Sequence, residues 1–327
     1  MRMRLLTACL LAAGALGAAE RCSAFGKGDK GTSSSQFLKI GPGARAAGMA
    51  EAFSGVADDA YAAYYNPAGL GFLKTPELGV THDSRFRSVN YEYGVVAVPM
   101  LSWVETKKPK NAYGVLAFSV SNLNVGKIES RTNVETDVPL ETFESNDFAY
   151  ALSYAYVFQS LKLGVGGTLK YVDANISSID AGAVAFDGGV LWRSKTVSAG
   201  MGFRHFGDHQ VFAKTNETLP VTFFGGLGVR LHPRFLVSLD ANLARDSQPR
   251  MAGGFEYRYQ PRGRKKLNAA VRAGYSSYGS KDSAPRDALT GLSVGLGLHY
   301  DHFDFDGAWE PFGDLGDSFK FSLHVKF

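Results

Sequence analysis

Hydrophobic and polar positions alternate with a period of two along most of the chain after about residue 76. The last nine residues show this most clearly, as an apolar set and a polar set. The two sets are Phe319, Phe321, Leu323, Val325 and Phe327, and Lys320, Ser322, His324 and Lys326. Positions i and i+2 of a strand share one face of a sheet. An apolar face opposite a small or charged face is typical of a strand between lipid and a wet lumen.

The alternation predicts fourteen strands, several of them about ten residues long, as tilted membrane strands require. They cover 76–84, 91–100, 111–121, 147–157, 162–173, 183–193, 197–206, 220–231, 235–244, 250–259, 267–276, 290–300, 302–309 and 319–327. Residues 127–133 are assigned to a long loop, because an even strand count suits a bacterial barrel. The predicted fold is therefore an all-β, antiparallel transmembrane barrel of about 14 strands.

The lengths of the predicted connections also favour a membrane barrel. Longer connections fall at 122–146, 174–182, 207–219, 277–289 and 310–318, and tight ones at 158–161, 194–196, 232–234 and Asp301. The long connection at 101–110 and the short one at 245–249 depart from this alternation. Outer-membrane barrels pair short periplasmic turns with longer outer loops, so both chain ends are expected on the periplasmic side.

The N-terminus predicts export. Arg2 and Arg4 precede an uncharged, apolar run from Leu5 to Ala19, and small residues then predict cleavage after Ala19 or after Ala24. Residues 1–24 are therefore interpreted as a signal peptide, and the Gly-, Ser- and Lys-containing residues 25–35 as a flexible linker. The cysteines are Cys9 and Cys22 only, which excludes a disulfide framework in the mature chain.

Several chemical functions are not expected from the sequence. The net charge is only +4 and the basic residues are scattered, whereas nucleic-acid binding needs a clustered basic face. The sequence shows no Ser/His/Asp constellation, and its seven histidines show no metal-ligand spacing. The glycine clusters at 164–167, 225–228 and 295–297 do not open a helix, so they are interpreted as small residues facing a crowded lumen. We therefore expect that the protein is not an enzyme and that it binds no metal ion and no cofactor.

Residues 36–73 differ from everything after them. They are rich in Ala and Gly, with short helix-like pieces around 44–52 and 58–64. The stretch from Ala57 to Leu70, which contains Asn66-Pro67-Ala68, resembles the N-terminal hatch of the FadL-type long-chain fatty-acid transporters. The stretch from Phe37 to Ala50 and the C-terminal residues from Pro311 onward resemble the FadL-like branch that includes the PorV and PorQ proteins.

The resemblance implies a barrel over residues 74–327 with a hatch, residues 36–73, inside its lumen. It implies an outer-membrane channel for passive uptake of hydrophobic small molecules, in particular long-chain fatty acids, gated by the hatch. The implied gate residues are Asp58, Asp59, Asn66, Pro67, Ala68 and Gly69. Pro67 fixes its backbone and Asn66 can bond neighbouring backbone groups, which would keep the hatch in one shape. An ordinary helix stop and turn is the alternative.

Ligand contacts are predicted from position alone. Candidate pocket residues are Arg45, Phe53, Tyr61, Tyr64, Phe72 and Leu73, with packing of the hatch core as an equal alternative. The predicted register also points many charged residues inward. These are Asp187, Arg204, Arg230, Asp240, Glu256, Arg258, Arg272, Asp304, Asp306 and Lys320. Arginine suits a ligand carboxylate, but such charges more often pair with each other in a wet lumen.

A second function remains open: an outer-membrane component or shuttle of a PorV-type secretion system, which would contact secreted proteins. Its contact would be the acidic segment 122–146, with a solvated loop as the alternative reading. The acidic residues are Glu129, Glu135, Asp137, Glu141 and Glu144. A mainly structural barrel is a third possibility. The expected location is the bacterial outer membrane, with lipid as one partner. The barrel-assembly machinery is another, through Phe321, Leu323, Val325 and Phe327.

Overall fold

The computed structural model describes most of the chain. The described residues are 32–86, 88–105, 108–130, 139, 141–176, 179–212, 215–263, 266–277 and 289–327. The predicted signal peptide and residues 25–31 of the predicted linker lie outside them. No helix within the described ranges is long and apolar enough to cross a membrane.

Fourteen antiparallel strands close into a barrel, as the alternation predicts. In chain order the strands are β1 (Glu77–Ser84), β2 (Val89–Pro99), β3 (Val115–Ser130), β4 (Glu141–Phe158), β5 (Leu163–Ile176), β6 (Ile179–Arg193), β7 (Val197–Gly207), β8 (His209–Phe212), β9 (Thr215–Thr218), β10 (Thr222–His232), β11 (Phe235–Ala244), β12 (Arg250–Tyr259), β13 (Leu267–Ser276), β14 (Leu292–Tyr300), β15 (Phe303–Pro311) and β16 (Asp317–Lys326). The barrel strands pair in chain order, with β7 beside β10 because β8 and β9 lie outside the barrel, and β1 pairs with β16 to complete the ring. Closure pairs every strand edge, which lipid requires because it offers no hydrogen bonds to the backbone.

Three predicted connections are wrong in part. The ladder of β3 and β4 continues past an irregularity between Val125 and Ile128. Residues 127–130, assigned to a loop, therefore belong to β3, and much of 174–182 likewise belongs to β5 and β6. The connection 207–219 contains β8 and β9, which pair as a separate two-stranded sheet. Four-residue strands are too short for a period of two to stand out.

The predicted lumen-facing register is confirmed. Asp187, Arg204 and Asp240 are buried, and the lipid-side positions between such residues, for example Leu239, are exposed. Arg230 and Arg258 are half exposed, yet they reach the inward carboxylates of Asp58 and Glu256. Charged side chains therefore occupy the inside of the wall, and apolar side chains cover the outside.

The barrel has a turn end and a loop end. At the turn end, tight connections such as 194–196 and 301–302 join the strands, with the long connection 100–114 as an exception. The loop end carries the longer connections and the extended tips of β3 to β6, which have 14 to 18 residues against 8 to 11 in the other barrel strands.

Residues 32–73, here called the internal segment, lie inside the barrel. The segment contains four short helical pieces: 3-10 helices at Gln36–Lys39 and Pro67–Phe72, and single α-turns at Ala44–Ala47 and Ala62–Tyr65. Another 3-10 helix, Gly313–Leu315, lies outside the segment, at the loop end. Met49, Phe53 and Leu70 are each at most 1% exposed, because strands surround the segment. Its many alanines let the chain fit within the lumen.

Candidate functional site

The backbone of the internal segment lies directly against the backbone of the barrel wall. A Cβ added to Gly226 would lie 2.5 Å from the backbone nitrogen of Gly55, and one added to Gly166 would lie 2.5 Å from that of Ala68. A Cβ at Gly48 would lie 2.8 Å from the Cα of Gly295. These separations leave no room for side chains. The glycine clusters therefore face a crowded lumen, as the sequence predicts.

Asn66 ties two parts of the internal segment to the wall. Its side chain is fully buried, and Nδ2 donates to the carbonyls of Ser54 and of Val190 in β6, each at 3.1 Å. Its Oδ1 accepts from the backbone N–H of Ala68 at 3.2 Å, which caps the 3-10 helix that begins at Pro67. Asn66 thus holds the segment in place, while its part in gating stays a prediction.

A buried ion-pair cluster joins the internal segment to the part of the wall that lies toward the turn end. Arg45 donates through Nη1 to Asp58 (2.6 Å) and Asp59 (2.8 Å), and through Nε to Glu256 (2.9 Å). Glu256 also accepts from Arg272, which in turn donates to Asp306. We call this set the Arg45 cluster: Arg45, Asp58, Asp59, Glu256, Arg272 and Asp306.

The cluster keeps Arg45 charged and already partnered. Burial alone would lower the pKa of Arg45, but Asp58, Glu256 and Asp59 raise it well above its ordinary value. The same guanidinium lies 5.0 Å from the ring centroid of Phe53. A ligand carboxylate at Arg45 would have to displace one of these carboxylates. The predicted gate residues Asp58 and Asp59 are therefore the partners of the predicted ligand residue.

A cavity lies on either side of the internal segment. The loop-end cavity, of about 240 Å³, is lined by segment residues including Glu51 and Tyr64 and by wall residues including Arg204 and Arg250. The turn-end cavity, of about 250 Å³, is lined by Arg45, Asp59 and Tyr61 and by wall residues such as Arg258, His299 and Asp304. The segment contributes residues to both linings and therefore lies between the two cavities.

The six predicted ligand residues do not converge on one pocket. Arg45 and Tyr61 line the turn-end cavity, and Tyr64 lines the loop-end cavity. Phe53 packs edge-on against Tyr65, and Phe72 lies under the guanidinium of Arg193. Leu73 is 4% exposed within the apolar core. Their contact with a ligand stays a prediction, and Glu51, Tyr65 and Arg250 line a cavity without having been singled out from the sequence.

The C-terminal strand presents its apolar set mainly outward. Phe321 and Phe327 are exposed, whereas Val325 is buried and Leu323 is half-buried. A role in recognition by the assembly machinery stays a prediction. Within the described part of the chain, no group of three or more His, Cys, Asp or Glu side chains is placed to hold a metal ion.

The ion pair between Glu51 and Arg250 predicts a pH dependence of stability. Burial alone would raise the pKa of Glu51, but Arg250, 2.5 Å away, lowers it from 4.5 to about 2. A depressed carboxyl pKa stabilises the fold above the unfolded pKa, and this stabilisation is lost as the pH falls from 4.5 toward 2. We expect Glu51→Gln to lower the unfolding temperature at pH 7, and the difference from the native protein to shrink across that window.

The measurement is the temperature at which the barrel loses its heat-modifiable gel mobility, taken at a series of pH values. Glu144→Gln, at an exposed position of β4, is the matched control and should follow the native curve. A difference between Glu51→Gln and the native protein that stays constant from pH 7 to pH 2 would contradict the assignment.

A closed 14-stranded antiparallel barrel around an internal N-terminal segment is a FadL-like fold, and solved structures match it. A FadL homologue of Pseudomonas aeruginosa has a TM-score of 0.54 at 11% identity, covering 88% of this chain and 98% of that one. The toluene transporter TodX of Pseudomonas putida has a TM-score of 0.52 at 10% identity, covering 81% and 91%. The TodX deltaS2S3 mutant, a monoaromatic hydrocarbon channel, has a TM-score of 0.51 at 12% identity, covering 82% and 94%. No protein-family model matches the sequence, and no curated protein does. At these identities the likeness shows the fold.

Proposed function

We propose that this chain is a bacterial outer-membrane channel for passive uptake of hydrophobic small molecules, with long-chain fatty acids as the substrate class. The observation that carries the proposal is a closed barrel whose internal segment lies between a cavity at the loop end and a cavity at the turn end. On this proposal, a solute that enters one cavity reaches the other only when the segment moves. The internal segment is therefore the gate, or hatch.

The lining of the loop-end cavity supports an amphipathic ligand. Apolar side chains lie beside charged ones there. The apolar members are Ile40, Tyr64, Tyr65, Leu292 and Phe312. The structures with the same fold include a toluene transporter and a monoaromatic hydrocarbon channel, which supports a hydrophobic cargo. The N-terminal resemblance to the FadL-type hatch supports fatty acids within that class, and the resemblance to the PorV and PorQ branch is part of the same proposal.

Gating would use binding energy alone. A ligand opens the path if it binds the open position of the hatch more tightly than the closed one. Opening must break the contacts that fix the closed position, among them the bond of Asn66 to Val190 and the ion pair of Glu51 with Arg250. These contacts join the hatch to the wall, so their strength sets how far the equilibrium favours the closed state.

Labelled oleate uptake tests the proposal in outer-membrane-competent cells that lack their own transporter. We expect the native protein to raise uptake and the variant Asn66→Ala, Pro67→Ala to abolish the increase, because the hatch loses the bonds that shape it. Asn175→Ala, Pro109→Ala is the matched control, since both positions lie outside the hatch. Equal amounts of folded barrel are verified by heat modifiability. No uptake from a verified native barrel would contradict the oleate assignment.

A second candidate function is a PorV-type role in protein secretion. The observation that favours it is the extension of β3 to β6 at the loop end, which adds a protruding sheet with Glu129 and Glu144 on it. In a host that carries such a system, deletion of this gene would then block surface delivery of secreted proteins and leave fatty-acid uptake unchanged. The opposite pattern supports the channel.

A further inference from the structure

A β-bulge in the wall turns two successive residues into the lumen. In the pairing of β6 with β7, Gly188 lies opposite Phe203 and Phe186 lies opposite Phe206. Arg204 and His205 therefore stand opposite the single residue Asp187, and His205 has a left-handed φ of 61°. Strict alternation would place one of the two toward lipid, but they are only 7% and 1% exposed. Bulges of this kind re-aim side chains and are frequent beside functional sites.

His205, Asp187 and Lys170 form a local network in which the two charged groups pair with each other. Asp187 accepts from the backbone N–H of His205 at 2.8 Å and from Lys170 Nζ at 2.9 Å. Lys170 Nζ also lies 3.1 Å from Nδ1 of His205. The negative charge of Asp187 is thus balanced by Lys170. Arg204, its neighbour across the bulge, receives no carboxylate from this network.

Arg204 is held in place by neutral groups. Its guanidinium carbon lies 5.2 Å from the ring centroid of Tyr64 and 5.0 Å from that of Phe224, and Nη2 donates to Asn242 Oδ1 at 2.5 Å. Its Nε is buried and has no hydrogen-bond partner. Within the described ranges, no Asp or Glu oxygen lies within 4.0 Å of its nitrogens.

The other cations that line the loop-end cavity are paired. The pairs are Lys39 with Asp246 (3.1 Å), Arg85 with Asp83 (3.1 Å) and Arg250 with Glu51 (2.5 Å). A buried cation without a counter-ion is costly to the fold. A guanidinium with a free donor, held by rings and facing a cavity, is suited to take up an anion.

We propose that Arg204 is the carboxylate-recognition residue of the loop-end cavity, so that the channel selects monocarboxylic acids with an apolar tail over uncharged hydrocarbons. The acid's carboxylate approaches the guanidinium of Arg204 from the cavity, and its tail lies along Tyr64 and the apolar lining beside it. Asp240 and Glu310 line the same cavity, so a second carboxylate on the ligand meets like charge. The inference rests on the proposed function and assigns recognition of the ligand's carboxylate to one residue of the wall.

Calorimetric titration of the full barrel in lipid nanodiscs tests this with three probes: octanoate, 1-octanol and acetate. Octanoate carries both the tail and the charge, and each of the others carries one of them. We expect the native protein to bind octanoate about ten- to a hundredfold more tightly than octanol, the range that charge-assisted hydrogen bonds supply. Arg204→Gln should weaken octanoate binding by the same factor and leave octanol binding unchanged. Arg204→Lys keeps the charge but not the planar guanidinium with its paired donors. Its affinity for octanoate should fall between those of the native protein and Arg204→Gln.

The matched control is Arg234→Gln, which removes the same charge from an exposed turn outside the lumen and should bind as the native protein does. Equal affinity of the native barrel for octanoate and octanol would overturn the role of Arg204 and leave uptake of hydrophobic solutes intact. Octanoate binding that survives Arg204→Gln in a heat-modifiable barrel would also overturn it. Acetate binding that depends on Arg204, without binding of octanol or any gain for octanoate, would uphold the anion site and contradict the hydrophobic function.

Discussion

Gly226→Val should displace the internal segment and convert the closed barrel into a leaking pore. A Cβ at Gly226 would lie 2.5 Å from the nitrogen of Gly55 and 2.7 Å from Oγ of Ser54, so valine cannot occupy the position while the segment keeps its place. In the wall itself the carboxylate of Asp240 in β11 must turn aside, but β-branched residues otherwise suit strands. The internal segment is held to the wall by side-chain contacts and packing. We therefore expect the segment to move and the wall to stay in place.

Conductance in planar bilayers measures this effect, and the neighbouring glycine gives the control. A Cβ at Gly225 meets nothing within 4 Å, because this position faces away from the lumen. We therefore expect Gly225→Val to stay as closed as the native protein and Gly226→Val to conduct steadily. Equal, low conductance of both variants would contradict the expected opening of the lumen by Gly226→Val.

Arg45→Met should produce the largest loss of stability in the internal segment. The methionine fills much of the same space, but Asp58, Asp59 and Glu256 lose their shared cation. Leaving buried charges uncompensated costs about 3–5 kcal/mol. Part of the loss is relieved if the segment shifts and admits water to the carboxylates, so the barrel wall should survive while the segment loosens.

Protection of the segment from protease, together with the heat-modifiable transition, measures the loss. Lys266→Met is the matched control, since it removes the cation of an exposed pair with Asp301 at the turn end, and it should behave as the native protein does. Adding Glu256→Gln to Arg45→Met should restore part of the lost stability, because the two residues share one interaction. Equal stability of Arg45→Met and Lys266→Met would contradict a cluster that fixes the segment.

Much of the barrel is predictable from the sequence because its physical requirement repeats in every strand. A wall between lipid and a wet lumen forces alternation over about ten residues, so strands such as 250–259 and 267–276 have the predicted bounds. Beyond the membrane this requirement ends. For that reason no regular alternation marks the tips of β3 and β4 or the hairpin of β8 and β9, and the sequence predicts loops there.

The site is less predictable because it depends on how distant residues meet. The inward charges follow from the register, but the sequence does not show that Arg45 takes Glu256, 211 positions away, as a partner. Nor does it show the bulge, since one inserted residue reverses the faces of the chain after it. Arg204 and His205 therefore look like successive lumen and lipid positions until the pairing of β6 with β7 is known.

A reversible cross-link between the hatch and the wall tests whether the hatch must move for the solute to pass. The backbone N–H of Ala50 donates to Oγ of Ser293 in β14 at 2.8 Å, so these two positions are close enough for a cysteine pair. Cys9 lies within the predicted signal peptide for either cleavage site, and the single variants control for Cys22, which stays in the mature chain if cleavage follows Ala19. Oleate uptake is measured in cells that carry Ala50→Cys, Ser293→Cys, before and after reduction, with each single variant as the control.

We expect oxidation of the double variant to stop uptake, reduction to restore it, and neither treatment to affect the single variants. Undiminished uptake through a fully cross-linked barrel would contradict a hatch that must move for the solute to pass.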